Sequence, residues 1–329
     1  MSSSSASPRG LRIVLVGATG ALGHELCEAL ESSTLPIAEI IPVATDASIG
    51  AEIEFRGALA FVEAELPSLR GVDLMILCTP ASASLELIRE ALRGEVPCID
   101  CSGALGESPD VPLAVTGMSA SADLTAPVVG VPSGVGLGWL RVLAALGEGA
   151  TVERVVGTVL QPATHAGRRG IEVLSSETIA LLSQSELPDS DTFPGPVAFD
   201  CMPIGGDGFE TALRRDVPRA LGRAIEITAT GVQVPTFVGE GSALAVETAE
   251  PLSPDEALGL LEKAEGVELW GGDLAPTTRD TAGSDNVLVG SVRKDPSRDR
   301  SLLLWVATDG LRLVASEVVK IAETRLRLN

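Results

Sequence analysis

The rhythm of apolar and polar positions changes once along the chain, near its middle. LRIVLV, from Leu11 to Val16, is apolar apart from Arg12 and has the length of a short buried strand, and after GATGALG the apolar positions of HELCEALESS recur at helical spacing. IAEIIPVAT predicts a second strand, FRGALAFVEA a further strand pair, VDLMILC a strand followed by the helix TPASASLELIREALRG, and VPCID closes the series. Such alternation predicts a Rossmann-like, doubly wound parallel sheet covered by helices on both faces. In VGVPSGVGLGWLRVLAAL, Leu137, Leu140, Leu143 and Leu146 predict a helix beginning near Val135, with Gly134 immediately before it.

From about Val152 strands dominate. RVVGTVLQPA reads as a strand, GRRGIEVLSSETIALLSQ as a helix, and RAIEITATGVQVPTFVGEGSALAVETAEPL as alternating strands that NVLVGSVRKD and SLLLWVATDG extend. This predicts an α+β domain with an antiparallel or mixed sheet, and the amphipathic LRLVASEVVKIAETRL ends the chain. The expected division is a disordered tail over 1–10, a dinucleotide-binding domain over 11–133, a dimerisation or substrate-type domain over 134–308, and a C-terminal helix over 309–329 returning to the first domain. A chain of 329 residues suits two lobes, because single cores stop growing at roughly 250–300 residues.

Composition narrows the partners. A formal charge of −21 and the absence of tyrosine argue against nucleic acid. No apolar run approaches the roughly 18 residues of a membrane span, and MSSSSASPRG lacks the apolar core of a secretory signal, so a cytoplasmic protein without a membrane partner is expected. Five cysteines, an odd count, suit a reducing compartment. Cys98 and Cys101 form a C-x-x-C, but strand alternation would turn them to opposite faces and no second pair completes a metal site, so no metal is expected.

Candidate chemistry begins at the first turn. Gly17, Gly20 and Gly23 lie between a strand and a helix, where backbone N–H groups and the positive helix end can approach a pyrophosphate. Gly17, Thr19, Gly20, Ala21, Leu22 and Gly23 are therefore candidate cofactor contacts, with Asp46 and Ser48 at the end of the second strand. An acid about 20 residues past the turn suits the ribose hydroxyl of NAD; the competing reading of Asp46 is a solvated loop aspartate.

With these pieces placed, VGATGALG, GVDLMILC, CIDCSGA with DVPLAV, TVLQPATHAG, VQVPTFVGEGSALAVE, and DNVLVGSVRKDP with LLLWVATDGLR resemble the aspartate-β-semialdehyde dehydrogenase family along almost the whole chain. The resemblance implies a nicotinamide-binding lobe, a second lobe that forms a homodimer, and reductive dephosphorylation of an acyl phosphate through a cysteine thioester and NADPH. It also implies departures. The family's cysteine ends an Asn-Pro-Asn-Cys loop, and Val131-Pro132-Ser133-Gly134 puts Gly134 at that position. The family's substrate-binding arginine and its histidine correspond to Gln233 and Glu240, its phosphate-binding arginine to Gly106, and its arginine for the NADP 2′-phosphate to Ala47. Gln161 keeps a family identity.

This pattern resembles the usg-type homologues that have the fold without the full catalytic set. It implies loss of the family reaction, a binding or regulatory role, and NAD rather than NADP if a dinucleotide is bound. Two alternatives stay open: a divergent NAD(P)-dependent oxidoreductase using Gln161, Glu240 and His165, and a partner of an active paralogue. Cys101 would be a relocated nucleophile only with a base beside it, and Glu240 a useful base only if desolvated.

Overall fold

The protein is described by a computed structural model covering residues 10–108, 110–118, 123–205, 208–271 and 275–328. The expected disordered tail lies, Gly10 apart, outside these residues. The chain divides into two compact units, one holding Met1–Ala114, Asp123–Val131 and Glu317–Asn329, the other Val115–Ala122 and Pro132–Ser316.

In the first unit, β1 (Leu11–Val16) leads through the glycine turn into α1 (Ala21–Glu31) and β2 (Ile37–Val43). A hairpin of β3 (Glu52–Phe55) and β4 (Ala58–Phe61) follows, then β5 (Leu74–Leu77), α2 (Ala81–Arg93), β6 (Cys98–Asp100) and β7 (Val128–Gly130). The five-stranded sheet has the order β2-β1-β5-β6-β7, parallel throughout. All four residues of β5 are buried, as expected of a strand covered on both faces. The strand order reverses between β1 and β5, so their carboxyl ends form the crevice where open α/β sheets bind ligands.

The second unit starts with α3 (Gly134–Leu146), buried at every residue except Ala144, which accounts for its apolar residues on all sides. It continues through β8 (Val152–Gln161), α4 (Gly167–Leu182), β9 (Met202–Pro203), α5 (Gly208–Leu221), β10 (Glu226–Gln233), β11 (Glu240–Thr248), α6 (Pro254–Leu261), β12 (Val267–Leu269), β13 (Val287–Lys294) and β14 (Ser301–Thr308). The seven-stranded sheet has the order β12-β13-β14-β11-β8-β10-β9. It is mixed: β8 and β10 run parallel, as do β12 and β13, while β11 is antiparallel to both β8 and β14. The parallel β8–β10 pair needs a long crossover, and the segment carrying α4 and α5 supplies it.

One face of this sheet is covered by α3. Trp139 packs over Gly157 and donates its indole N–H to Ser242 Oγ at 3.0 Å. On the other face Thr158, Ala243, Ala245, Leu303, Trp305 and Arg293 line an open groove.

The last helix, α7 (Gly310–Leu328), begins in the second unit and ends in the first. In the first unit Val318, Ile321 and Ala322 are buried, Arg325 donates to the carbonyls of Ala126 and Pro127, and Thr34 donates to Glu323. Among the described residues no helix is long and apolar enough to cross a membrane.

Candidate functional site

The turn after β1 is built from backbone. Gly17 has φ +87°, and a Cβ there would lie 2.7 Å from the Cys78 carbonyl oxygen, so a side chain is excluded by both conformation and space. A Cβ at Gly23 would lie 2.6 Å from the Ala18 carbonyl oxygen, which lets α1 press against the turn. Gly20 is the N-cap of α1 and offers no side-chain cap. The first-turn N–H groups, including those of Ala21, Leu22 and Gly23, therefore face a position suited to an anion.

Thr19 Oγ1 lies 3.1 Å from Ser48 Oγ, tying the turn to the short 3-10 helix Asp46–Ser48 that follows β2. Asp46 and Ala47 are exposed there. A cradle closed to any Cβ, an uncapped helix start and an exposed acid beyond β2 fit a dinucleotide.

In the second unit the α3 helix starts one residue earlier than the apolar spacing predicts. Ser133 is its N-cap and accepts from the Gly136 N–H at 3.2 Å, which makes Gly134 the first helical residue. Gly134 packs directly on the backbone of Gly310: a Cβ at Gly134 would lie 2.6 Å from the Gly310 carbonyl oxygen and 2.7 Å from its carbonyl carbon. Gly310 packs in turn on Glu240, whose carboxyl carbon would lie 2.7 Å from a Cβ at residue 310. Two bare backbones and a carboxyl group are thus stacked at the head of α3.

The sheet beneath carries a polar row. Gln233 pairs with Gln161 across β10 and β8, and Glu240 pairs with Thr308 across β11 and β14. The ladder that sets Gly241 opposite Leu160 brings Glu240 beside Gln161. Paired residues share a face, so Gln233, Gln161, Glu240 and Thr308 form one line across four strands, on the same face as Ser242 and Trp139.

Each member has a distinct environment. Gln233 is buried and donates to the carbonyls of Gln161 and Val234 at 3.0 and 3.2 Å. Gln161 is 0% exposed, and neither its amide nitrogen nor its amide oxygen has a hydrogen-bond partner among the described residues; the nearby Thr236 hydroxyl is likewise buried and unpartnered. Glu240 accepts a long hydrogen bond from Thr308 Oγ1 at 3.4 Å. Burial pushes its carboxyl pKa up to about 7, Asp309 adding to the rise and the Thr308 hydroxyl opposing it. The desolvation that Glu240 needs in order to act as a base is therefore present.

The other candidates stand apart from this row. His165 lies exposed in the 3-10 turn Ala163–Ala166 after β8, where partial desolvation holds its imidazole below the usual pKa. Gly106 closes a turn in the first unit by donating to the Gly103 carbonyl at 3.0 Å. Cys101 follows β6, and burial, with Cys78 and Asp100 adding to it, pushes its thiol well above the ordinary value. That environment disfavours a thiolate. Among the described residues no group of His, Cys, Asp and Glu is placed to hold a metal.

Residues 12–123 match the family model for the NAD-binding domain of semialdehyde dehydrogenase, and residues 143–313 match the model for its dimerisation domain. The chain is 29% identical over 331 residues to an aspartate-semialdehyde dehydrogenase of Aquifex aeolicus, covering 95% of this chain and 97% of the relative. It is 28% identical to aspartate-semialdehyde dehydrogenase 2 of Vibrio cholerae, covering 96% and 97%. Among solved structures it is similar to aspartate semialdehyde dehydrogenase II of Vibrio cholerae complexed with ASA, with a TM-score of 0.92, 28% identity and coverage of 97% and 99%. A probable aspartate-semialdehyde dehydrogenase of Pseudomonas aeruginosa gives a TM-score of 0.90 at 25% identity, with coverage of 97% and 99%.

Proposed function

Because the chain belongs to the semialdehyde dehydrogenase family, we propose that it keeps the family's dinucleotide-binding and dimer-forming architecture and has lost the covalent step. The observation that carries this reading is the contact at the head of α3. Gly134 presents no thiol, and the Gly310 backbone fills the space into which a side chain would project. Without a nucleophile no thioester forms with an acyl phosphate. The protein binds its ligand rather than turning over the family substrate, and its role is binding or regulatory.

A nicotinamide dinucleotide, held by the turn from Gly17 to Gly23 and by Ser48, would supply hydride chemistry. Asp46 accepts the ribose hydroxyls, and with Ala47 beside it no cation meets a 2′-phosphate, so NAD binds in preference to NADP. Calorimetric titration with both dinucleotides tests this: tighter binding of NAD supports it, and equal or tighter binding of NADP sinks it. In the same preparation, phosphate-dependent oxidation of aspartate semialdehyde should not exceed a heat-killed control with either cofactor. Turnover abolished by a thiol reagent would overturn the loss of covalent chemistry.

The homodimer forms through the groove-bearing face of the seven-stranded sheet. Partly exposed Leu303 and Trp305 and exposed Ala243 stand there, with the segment 275–278 along the groove and Pro276 O accepting from the Trp305 indole N–H. A concentration-independent monomer mass by light scattering would remove this assignment.

One observation favours a second reading. A buried carboxyl titrating near neutrality is tuned for general acid–base work, which suits a divergent oxidoreductase acting on another carbonyl compound without a covalent intermediate. Turnover of that kind would resist thiol reagents and fall in Glu240→Gln.

A further inference from the structure

The unpartnered amide of Gln161 sets the chemistry of what binds in the second unit. A buried polar group without a partner costs about 1–3 kcal/mol, and among the described residues both polar atoms of the Gln161 amide, Nε2 and Oε1, are in that state. The backbone around them is well satisfied. Gln161 O accepts from the Val234 N–H and the Gln233 amide, the Ala163 N–H donates to Thr236 O, and the Thr164 N–H donates to Phe237 O. The segments after β8 and β10 are thus pinned to one another while the Gln161 side-chain amide has no partner among the described residues. A site whose frame is complete and whose side-chain donors and acceptors are idle is arranged for a ligand.

The groups present define that ligand's polarity. Gln161 offers a donor and an acceptor on one planar amide. Glu240 stands beside it, Thr308 flanks Glu240, and Gln233 has both hydrogens of its amide directed toward carbonyls. The row contains no cation. An anion placed here would face Gln161 Oε1 and a carboxyl group, and none of the four side chains of the row carries a charge to balance it. A single carbonyl would satisfy Nε2 and leave Oε1 idle. A carboxamide satisfies both at once, as a paired donor and acceptor against a paired acceptor and donor.

We propose that this corner, formed by Gln161 and Glu240, binds an uncharged carboxamide-bearing ligand and discriminates against carboxylates and phosphates. The proposal rests on the reading of the protein as a binder that has lost covalent turnover, and it identifies the class of compound bound.

Propionamide, propionate and inorganic phosphate serve as probes of the full-length protein by thermal unfolding and by titration. Propionamide should raise the melting temperature in a saturable way, while propionate and phosphate leave it unchanged. In Gln161→Leu the propionamide affinity should fall about tenfold or more, the loss expected for one paired amide contact. The same variant without ligand should melt at or above the wild-type temperature, because an idle buried amide is replaced by an apolar group of similar size. No propionamide response, an equal response to propionate or phosphate, or undiminished binding to Gln161→Leu would overturn the proposal. So would a large loss of stability in unliganded Gln161→Leu, since that would show the amide to be satisfied within the fold. The thiol-sensitive turnover assay reads the underlying reading separately, so either can fail while the other stands.

Discussion

Gly134→Cys, the substitution that places a thiol at the head of α3, is expected to yield no thiol-dependent turnover and to lower stability by about 3 kcal/mol, the upper part of the overpacking range. Two effects compete. Replacing a helical glycine gains at most about 1 kcal/mol in helix propensity, and less at a first helical position. Against it stands a Cβ within 2.6 Å of the Gly310 carbonyl oxygen, a clash with backbone that no rotamer relieves. The clash wins, and the same argument applies to Gly134→Ala. Urea unfolding of both variants beside wild type measures the loss. Unchanged midpoints would show that the start of α7 moves aside freely, and semialdehyde oxidation gained in Gly134→Cys would show that the missing thiol alone silenced the site.

Glu240→Gln is expected to stabilise the protein above neutral pH. The folded carboxyl titrates at about 7, against 4.5 for the ordinary group. Between those values the folded state holds more protons than the unfolded state, so stability falls as pH rises from about 4.5 to about 7 and is level above. The gap corresponds to about 3 kcal/mol at about 1.4 kcal/mol per pH unit. Glutamine has nearly the same shape and cannot ionise. The variant-minus-wild-type difference should therefore grow by about 3 kcal/mol between pH 4.5 and pH 8, other titrating groups cancelling in the subtraction. Denaturant midpoints taken across that range test it, and parallel curves would mean that Glu240 ionises as a solvated carboxylate does.

The first unit was legible in the sequence because its signals are local. Its buried parallel strands are short, mostly apolar runs, and the helices that join β1 to β2 and β5 to β6 carry their own apolar stripes. The second unit was less so. The parallel pairing of β8 with β10 is decided by contacts between distant segments, and α5 carries Pro218 inside it, which suppresses a helix assignment. A signal was present for α6: Ser253-Pro254-Asp255-Glu256 is a capping box with proline at its first position, and the structure shows both of its hydrogen bonds.

The polar row divides in the same way. Gln161, Gln233 and Glu240 stood out one at a time against the family pattern. Their alignment on one face follows from ladder register, which no local stretch encodes. Thr308, Thr236 and Gly310 carried no distinguishing signal.

The contact between Gly134 and Gly310 also limits how this chain can change. A single substitution at residue 134 meets backbone, and a single substitution at residue 310 meets the Glu240 carboxyl. A side chain at the head of α3 therefore requires the Gly310 backbone to move, and that backbone is itself packed against the Glu240 carboxyl. Residues 134, 240 and 310, far apart in sequence, are thereby coupled: the side chain tolerated at any one of them depends on the other two.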